Sequence, residues 1–551
     1  MEANRDEQTL KQILKDFASN TTSHGYSQVK LSTTRLQRWI WIAICAVVNV
    51  VGLALFVTLM FKYFQFETRE VVSVENKHLK FPSVTICALY PLAGSKLGKY
   101  AKPLENKTSF ESANLMSSTK AMATLTTFLE NLNEKYVQQN KSGHADRFSK
   151  HYNRLLSFMF RSENSQIEMA QRSHSYEDLI VSCDFKGEPC KREMFRYEFN
   201  NEYFNCYTFN GVGTNVSSKM VWTGSLYGLN IVFYIDVSTL NPNYTIYNPK
   251  SPSGGNSGIR VIIHPPHTQP DIINNGINIA PGFSTDIGLN LYRKERLEPP
   301  WGECKNGKRI EGFEYEYSVT SCRGQCRQWY LYAKCHCVSA FFLVPKDLVN
   351  VQYCGKLNLK NLNSDKANIS VITEDLDRLD CERNHIRHHV GSYPKGLRCD
   401  CPMPCSHNQY TKQLSYSKWP FKAAINSYYH TQLKYIANYE HLSMYPAIEN
   451  ARNKSDEEFY DVFHQNFLRL NVFYDSLNEY VTKQVKDYEL VDFAAEVGGV
   501  YGICAGISIV TVCEIIQLIL AVVKWHQNQY ESRKVNVIEA DRNMKMSNTK
   551  T

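Results

Sequence analysis

Residues 497–523 read VGGVYGICAGISIVTVCEIIQLILAVV, and they decide the fold together with residues 39–61, WIWIAICAVVNVVGLALFVTLMF. We name residues 39–61 the first span and residues 497–523 the second span. The second span carries one ionisable residue, Glu514, and the first span carries none. Each exceeds the ~20 residues that a helix needs to cross a bilayer. Two crossings would place both termini on one side of the membrane and the long polar segment on the other.

Charges beside the spans predict the orientation. Arg35 and Arg38 precede the first span, and Lys524, Arg533 and Lys534 follow the second. Basic residues that flank membrane spans are typical of the cytosol, so we expect both termini there. The net charge of +8 therefore reflects topology and a mixed surface, not a nucleic-acid partner. A positively charged leader and a cleavage site are missing before the first span, which favours a retained anchor over a signal peptide.

The cysteine count predicts that the segment between the spans is extracellular. Of the 17 cysteines, Cys45, Cys504 and Cys513 lie in the spans, which leaves 14 between them. An even number in an exported segment fits seven disulfides, although spacing alone does not determine their pairing. The same segment carries the predicted N-glycosylation sites, which are Asn106, Asn140, Asn215, Asn243, Asn368 and Asn453.

The extracellular segment alternates between strand-like and helix-like patterns. β-Branched and aromatic residues predict strands at 229–237, 258–264 and 466–474. Residues 119–136 and 371–388 are typical of helices with charged faces. We therefore expect one large α+β extracellular body with helical attachments.

Both cytosolic ends are short. Apolar residues at helical spacing predict an amphipathic helix at 7–18, which either packs on cytosolic neighbours or lies near the membrane surface or a pore. The polar tail after Tyr530 is expected to be mobile.

The second span has unusual chemistry for a membrane helix. Gly498, Gly502 and Gly506 repeat every four residues, which lays small residues along one face and permits close packing. Glu496 and Glu514 are 18 residues apart, so a continuous helix would point both carboxylates the same way. A carboxylate at depth is tolerated mainly when it faces protein or water. Self-association would turn it into a ring that attracts cations. Alternatively, Glu514 pairs with a basic residue and the glycines only pack helices.

Several motifs in this chain resemble those of the degenerin/epithelial sodium channel family, in matching order along nearly the whole chain. They are Phe81-Pro82-Ser83-Val84-Thr85-Ile86-Cys87, Cys206-Tyr207-Thr208-Phe209-Asn210, Gly258-Ile259-Arg260-Val261, Pro300-Trp301-Gly302-Glu303-Cys304, Cys399-Asp400-Cys401-Pro402-Met403-Pro404-Cys405, Ser417-Lys418-Trp419-Pro420, Gly498-Gly499-Val500-Tyr501-Gly502, Gly506-Ile507-Ser508 and Glu514.

The resemblance implies a trimeric, sodium-preferring channel that amiloride blocks, without cofactors. It implies finger, thumb, palm, knuckle and β-ball parts above two transmembrane helices. The segments would be a cytosolic N-terminus with a re-entrant element at 1–38, transmembrane helix 1 at 39–61, an extracellular domain at 62–490, transmembrane helix 2 with the pore at 491–525, and a cytosolic tail at 526–551.

The resemblance also implies the disulfide pairing. The pairs would be Cys87–Cys206, Cys183–Cys190, Cys304–Cys405, Cys322–Cys401, Cys326–Cys399, Cys335–Cys381 and Cys337–Cys354. The competing interpretation of Cys335-His336-Cys337 and Cys399-Asp400-Cys401 as zinc sites is disfavoured, because an oxidising compartment favours disulfides.

Site residues follow from the same resemblance. The Gly506-Ile507-Ser508 segment would form the selectivity constriction, where the second transmembrane helix breaks, with Glu496 and Glu514 as pore carboxylates. Such a break would remove the helical face that Glu496 and Glu514 would share on a continuous helix. Ile507 stands where many relatives have a smaller residue, which leaves the degree of sodium preference open. The His24-Gly25 pair resembles the element that enters the pore from the cytosol.

Three further residues are expected to act in gating. Ala495 matches the position whose enlargement holds family channels open. Phe66 and Trp301 resemble the aromatic pair that couples the thumb base to the first span, although plain hydrophobic packing would explain them equally.

The whole sequence is most similar to the invertebrate neuropeptide-gated channels, including those opened by FMRFamide. An extracellular amidated peptide is therefore the expected ligand, besides sodium ions, the lipid bilayer and further copies of the chain. Residues 155–184 offer aromatic and acidic side chains for such a peptide, or equally for an ordinary domain core. These are Phe158, Met159, Phe160, Glu163, Tyr176, Glu177 and Asp178.

Alternatives to peptide gating stay open. Proton gating would use thumb carboxylates if they are buried together, and mechanical or constitutive opening is a further possibility. The candidate carboxylates are Glu374, Asp375, Asp377 and Asp380. A two-span scavenger or adhesion receptor is the alternative from another class. The chain lacks metalloprotease, nucleophile-elbow and phosphate-loop motifs, so an enzyme is not expected.

Overall fold

The computed structural model describes most of the chain outside five longer gaps. The described residues are 10–23, 25–97, 170–238, 256–305, 314–354, 374, 377–378, 380–382, 384–386 and 401–547, with side chains as far as Tyr530.

Helices occur near both ends of the chain and between the two spans, where most of them lie from Val319 onward. They are α1 (Leu10–Asn20), α2 (Tyr26–Leu31), α3 (Arg35–Phe64), α4 (Gly94–Leu97), α5 (Tyr176–Leu179), α6 (Val319–Cys335), α7 (Lys422–Thr431), α8 (Tyr445–Lys454), α9 (Asp456–Asn466), α10 (Leu490–Ala505) and α11 (Ile509–Ser547).

Strands form the centre of the chain. They are β1 (Thr68–Asn76), β2 (Ser83–Ala88), β3 (Ile180–Phe185), β4 (Glu188–Pro189), β5 (Phe195–Asn200), β6 (Phe204–Phe209), β7 (Leu229–Tyr234), β8 (Ile259–His264), β9 (Ile277–Ile279), β10 (Phe283–Glu295), β11 (Ser406–Lys418) and β12 (Phe467–Lys486).

The chain divides into two compact units. The first unit comprises Met1–Glu70, Pro300–Gly302 and Gln484–Thr551, and the second comprises Val71–Pro299 and Glu303–Lys483. The first unit therefore contains both predicted spans, and the second contains most of the predicted extracellular body.

Two helices of the first unit are long and apolar enough to cross a membrane. They are Arg35–Phe64 and the Ile509–Asn528 part of α11, and both leave most of their side chains exposed. Thr34 begins α3 by accepting a hydrogen bond from the Gln37 amide. Exposed apolar helix surface of this kind fits lipid or another copy of the chain.

The second span is interrupted where the family resemblance implies a break, because α10 ends at Ala505 and α11 begins at Ile509. Glu496 and Glu514 do not lie on one continuous helix, so the argument that they share one helical face does not hold. The expectation about the C-terminal end is wrong. The tail after Tyr530 is helical as far as Ser547, not a mobile segment.

The predicted strands of the extracellular body lie in two sheets. One has seven strands in the order β11-β10-β12-β7-β3-β4, with β1 also paired to β12, and the other has the order β5-β6-β2-β8-β9. β10 runs parallel to β12 and antiparallel to β11. The predicted strand at 466–474 is longer than expected, since β12 extends over 20 residues.

A single apolar core joins the two sheets. Phe81, Phe209, Phe233, Leu468 and Tyr474 all lie in this core and are almost fully buried. Burying one such side chain stabilises the fold by about 1.5–3 kcal/mol. β2 and β8 are buried along their whole length, as expected for apolar strands covered on both faces.

Disulfides supplement this core. Six pairs are present in the described part of the chain, and they join the cysteines that the family resemblance pairs: Cys87–Cys206, Cys183–Cys190, Cys304–Cys405, Cys322–Cys401, Cys335–Cys381 and Cys337–Cys354. Cys326 is also disulfide-bonded, and its expected partner Cys399 lies outside the described residues. The sulfurs of Cys335, Cys337 and Cys401 are thus oxidised, which argues against zinc thiolates there.

Two predicted glycosylation sites fall in the described residues. Asn215 and Asn453 are both exposed. Asn106, Asn140, Asn243 and Asn368 lie outside the described residues, as does the predicted helix at 119–136. Glycosylation itself stays a prediction.

His264 is a buried titratable group of the second unit. Its ring nitrogens lie 3.0 Å from the Thr85 hydroxyl and 3.1 Å from the Thr268 hydroxyl. The pKa of His264 is lowered from 6.5 to about 4. Burial is the main cause and the charge of Lys412 contributes, while a hydrogen bond to the Pro265 carbonyl opposes the change. Between pH 6.5 and about 4, His264 binds a proton in the unfolded chain but not in the folded chain. The free energy of unfolding therefore falls as the pH falls.

We predict that His264→Gln reduces thermal stability at pH 7 but that its difference from the wild type shrinks at acidic pH. On going from pH 7 to 4.5 the wild type loses about 2 kcal/mol through this histidine, whereas glutamine has no proton to bind. The measurement is the unfolding midpoint of the purified full-length protein at several pH values. The exposed His441→Gln variant is the control and should keep a constant difference. If the difference in unfolding midpoint between His264→Gln and the wild type does not change with pH, the prediction is wrong.

Candidate functional site

The break in the second span is built around one glycine. Gly506 follows α10 with φ of 62°, a left-handed conformation that favours glycine. Its amide bonds to the Gly502 carbonyl at 3.1 Å, and the Ile507 amide bonds to the Tyr501 carbonyl at 3.2 Å. These bonds close the end of α10, so the helix ends in a defined turn.

Ser508 begins the next helix. Its amide donates to the Thr511 hydroxyl at 3.1 Å, and the Thr511 amide donates to the Ser508 hydroxyl at 3.4 Å. This reciprocal pair satisfies two backbone donors at the N-terminus of α11.

The carbonyl oxygens of Gly506 and Ile507 have a different environment. Within the described residues, no hydrogen-bond donor reaches either oxygen. Non-helical backbone inside an apolar segment is tolerated only where it lines water or protein. Backbone carbonyls are also the groups that replace the hydration shell of a cation in channel filters. The break can therefore serve as a cation-contacting segment.

The N-terminal segment lies against this break, within the first unit. The Ser23 hydroxyl donates to the Ala505 carbonyl at 3.0 Å, and the hydroxyls of Thr22 and Thr511 lie 2.7 Å apart. Ser23, Ala505 and Thr511 are all buried. The helix α1 packs on α11, which carries part of the second span. The structure therefore favours a position of the N-terminal helix beside the second span over packing on cytosolic neighbours alone.

Glu514 is held by this same segment. One of its carboxylate oxygens accepts hydrogen bonds from the Thr21 hydroxyl and the Thr22 amide, both at 3.0 Å. Among the described residues these partners are neutral donors, unlike the basic partner of the alternative hypothesis. Hydrogen bonds to a charged group typically contribute about 1.5–3 kcal/mol each. Sequence reasoning missed Thr21 and Thr22, although three hydroxyl residues in a row just before His24-Gly25 were a usable signal.

Gly25 has a steric reason to be glycine. Its φ is 87°, and a Cβ atom there would lie 2.7 Å from the Cys45 sulfur of α3. A larger residue would have to push α2 away from α3. His24, its partner in the predicted element, lies outside the described residues.

The C-terminal half of α3 packs on α10 through aromatic side chains. Phe56 lies 6.2 Å from Tyr501 and Tyr63 lies 5.4 Å from Phe493, measured between ring centroids. Gly498 and Gly499 are not part of this contact, because a Cβ atom at either would meet open space among the described residues. The small-residue face is therefore available to another helix.

Glu496 lies beside α3, near the start of α10. Its two carboxylate oxygens face the Lys62 ammonium at 3.5 Å and the Tyr488 hydroxyl at 2.8 Å. Ala495 is exposed.

Phe66 and Trp301 form a contact, as the resemblance implies for this pair. Their ring centroids lie 5.2 Å apart in an edge-to-face arrangement, and Phe66 has a φ of 50°. The Lys486 ammonium lies 3.8 Å from the centre of the Trp301 ring, a cation–π geometry. These contacts join the residues that follow α3 to those that precede α10.

The candidate peptide-binding residues are only partly described. Phe158, Met159, Phe160 and Glu163 lie outside the described residues. Tyr176 packs on Phe195 and Tyr207, and Asp178 pairs with Lys96 at 3.3 Å. These contacts account for Tyr176 and Asp178 as parts of the core and its rim.

The candidate thumb carboxylates do not form a buried group in the described residues. Glu374 is exposed and pairs with Arg378 at 2.7 Å, one helical turn away. Asp375 lies outside the described residues.

Comparisons with known proteins agree with this arrangement. The model of the amiloride-sensitive sodium channel family matches residues 17–518. The chain is 26% identical to the FMRFamide-activated amiloride-sensitive sodium channel of Cornu aspersum, over 94% of this chain and 84% of the relative. It is 28% identical to acid-sensing ion channel 1 of Gallus gallus, over 92% and 84%. It is 23% identical to the bile acid-sensitive ion channel of Rattus norvegicus, over 93% and 88%.

The fold and the broken second span thus belong to a channel protein with two candidate transmembrane helices. The chain belongs to the amiloride-sensitive sodium channel family, because the family model spans nearly its whole length. Members of this family are ion channels, not enzymes, and the family match also excludes the receptor alternative. The resemblance stated from the motifs is confirmed.

We predict that Thr22→Cys and Thr511→Cys together form a disulfide, because the two native hydroxyls lie 2.7 Å apart. The parent protein should have Cys45, Cys504 and Cys513 replaced, since these are its free cysteines. Mild oxidation followed by mass spectrometry would detect the peptide that joins the two segments. The control pairs Thr22→Cys with Val512→Cys, which is exposed on the next position of α11. Equal cross-linking of both pairs would contradict the described seat of the N-terminal segment.

Proposed function

We propose that three copies of this chain form a sodium-preferring channel of the plasma membrane with cytosolic termini. The pore would be lined by α10, the break and α11 of each copy. The observation that carries this proposal is the pair of carbonyl oxygens at Gly506 and Ile507, which no donor among the described residues reaches and which need water, ions or protein. The open face at Gly498 and Gly499 supports close approach of a neighbouring copy.

Within such a pore, Gly506, Ile507 and Ser508 would form the selectivity constriction. Glu514 from each copy would form a ring of carboxylates below it, and Glu496 a second ring above it. Both rings would concentrate cations. The contacts of Thr21, Thr22 and Ser23 beside the break would support the constriction from the cytosolic side. The His24-Gly25 pair would belong to the same re-entrant element.

For the stimulus, we propose an extracellular amidated peptide, and we expect block by amiloride. The FMRFamide-activated relative supports this, because its similarity covers 94% of the chain. In this proposal, peptide binding to the extracellular body would act on the spans through the Phe66 and Trp301 contact. Ala495 would lie where the helices separate on opening.

Acid sensing is the second candidate, and Glu198 favours it. Its carboxylate accepts a hydrogen bond from the Tyr315 hydroxyl at 2.7 Å and lies 3.4 Å from the Arg196 guanidinium. Burial raises the pKa of Glu198, although Tyr315 and Arg196 oppose the shift. Protonation there would weaken a contact between β5 and the segment before α6.

Recording from cells that express the chain alone tests the function. The cells would receive a panel of amidated peptides at pH 7.4 and, separately, pH steps without peptide. A peptide-evoked sodium current that amiloride blocks supports the first candidate. A proton-evoked current that Glu198→Gln shifts to other pH values supports the second. If the protein reaches the cell surface but no current appears under any of these conditions, the proposal that this chain alone forms a channel is wrong.

We predict that Ser508→Cys makes permeation sensitive to a charged thiol reagent, because the side chain would line the constriction. The expected result is a loss of at least half of the current after reagent exposure, measured in a parent without Cys45, Cys504 and Cys513. Ser508→Ala in the same parent cannot react and is the control. Unchanged permeation after demonstrated modification of residue 508 would contradict the proposed filter.

A further inference from the structure

Lys62 directly follows the first span, and no sequence pattern connected it to Glu496, which directly precedes the second span. It lies in the last turn of α3, and its ammonium is 3.5 Å from a carboxylate oxygen of Glu496 on α10. The two residues are 434 positions apart. Each side chain is about half exposed, at 48% for Lys62 and 44% for Glu496. The pair is therefore accessible to water and to dissolved ions.

Tyr488 contacts both members of this ion pair. Its hydroxyl donates to the other oxygen of Glu496 at 2.8 Å, and the Lys62 ammonium lies 4.1 Å from the centre of its ring. The phenol is thus bonded to the anion while its ring face receives the cation. Three contacts connect three residues, so the geometry does not depend on one flexible salt bridge.

The other charged groups at this end of α10 have separate roles. Asp492 accepts a hydrogen bond from the Glu489 amide, and the Glu489 side chain returns the bond, which together cap α10. Lys486 lies over the Trp301 ring. In the described residues, the basic group that forms an ion pair with Glu496 is Lys62.

We propose that Lys62 is a built-in counter-cation that sets the electrostatic potential at the outer mouth of the pore. This inference rests on the proposed function, in which Glu496 from each copy faces the permeation path. Without Lys62, each copy would present one uncompensated negative charge at this level. With Lys62, the pair is close to neutral, so sodium and divalent cations are attracted less strongly. Lys62 thereby limits conductance at low salt and weakens block by external divalent cations.

The experiment is single-channel recording of Lys62→Met at low and high sodium concentrations, using the stimulus that opens the wild type. We expect conductance in about 20 mM sodium to rise about twofold, because the mouth becomes negative and attracts cations. The difference should vanish near 1 M sodium, where the screening length is about 3 Å. External calcium should block the variant at a concentration several-fold lower than the wild type. Lys62→Arg keeps the charge and is the matched control, with wild-type values expected.

Glu496→Gln gives an independent arm with the opposite sign. It leaves Lys62 uncompensated, so conductance at low sodium should fall below the wild type, and the double variant with Lys62→Met should return toward it. If Lys62→Met does not reach the surface, this arm still decides the question. Wild-type conductance for both single variants at every salt concentration would overturn the proposal, and would mean that the pair only tethers α3 to α10.

The same experiment separates this inference from the proposed function. If the wild type conducts and Glu496→Cys reacts with a thiol reagent without any effect on current, the pore assignment of Glu496 fails. If Glu496→Cys responds but Lys62→Met behaves as the wild type, the pore assignment stands and the counter-cation proposal fails.

Discussion

The hydrogen-bonding requirement of backbone in an apolar environment is the constraint on which the first unit depends. A helix satisfies that requirement internally, but the second span gives up the helix at Gly506 and must satisfy the released groups in other ways. The chain satisfies the amides locally, through Gly502, Tyr501 and the Ser508–Thr511 pair. The carbonyl oxygens of Gly506 and Ile507 stay free of described donors, which makes this segment a suitable ligand for ions.

The hydroxyl-rich N-terminal segment supports the break on one side. Thr21 and Thr22 bond the Glu514 carboxylate, and Ser23 bonds the carbonyl at the end of α10. A carboxylate within an apolar helix is costly, and neutral donors reduce that cost without cancelling its charge. Glu514 can therefore keep an attraction for cations while it also holds the N-terminal segment. Glu496 has a different environment, because the Lys62 ammonium lies next to it. Glu496, just before the second span, and Glu514, within it, thus differ in net local charge.

The second unit has a different source of stability. Two sheets share an apolar core of aromatic and aliphatic side chains, and disulfides cross-link the loops and helices around it. A native disulfide typically contributes about 2–4 kcal/mol, mainly by restricting the unfolded chain. Buried histidines such as His264 add a pH dependence that weakens the fold in acid. The same acidification that could act on Glu198 therefore also carries a cost in stability.

The sequence by itself determined the two spans, the exported cysteine-rich segment and the type of the main strands. Hydrophobic length and residue periodicity report local conformation and burial, which is why β7, β8 and the start of β12 were predictable. The family motifs predicted the cysteine pairs and indicated the break that is proposed as the filter. Only the tertiary structure decided that Thr21 and Thr22 bind Glu514 and that Lys62 pairs with Glu496. These contacts join residues more than 400 positions apart. No local pattern encodes which hydroxyl or ammonium meets a given carboxylate, because that choice depends on how the helices pack.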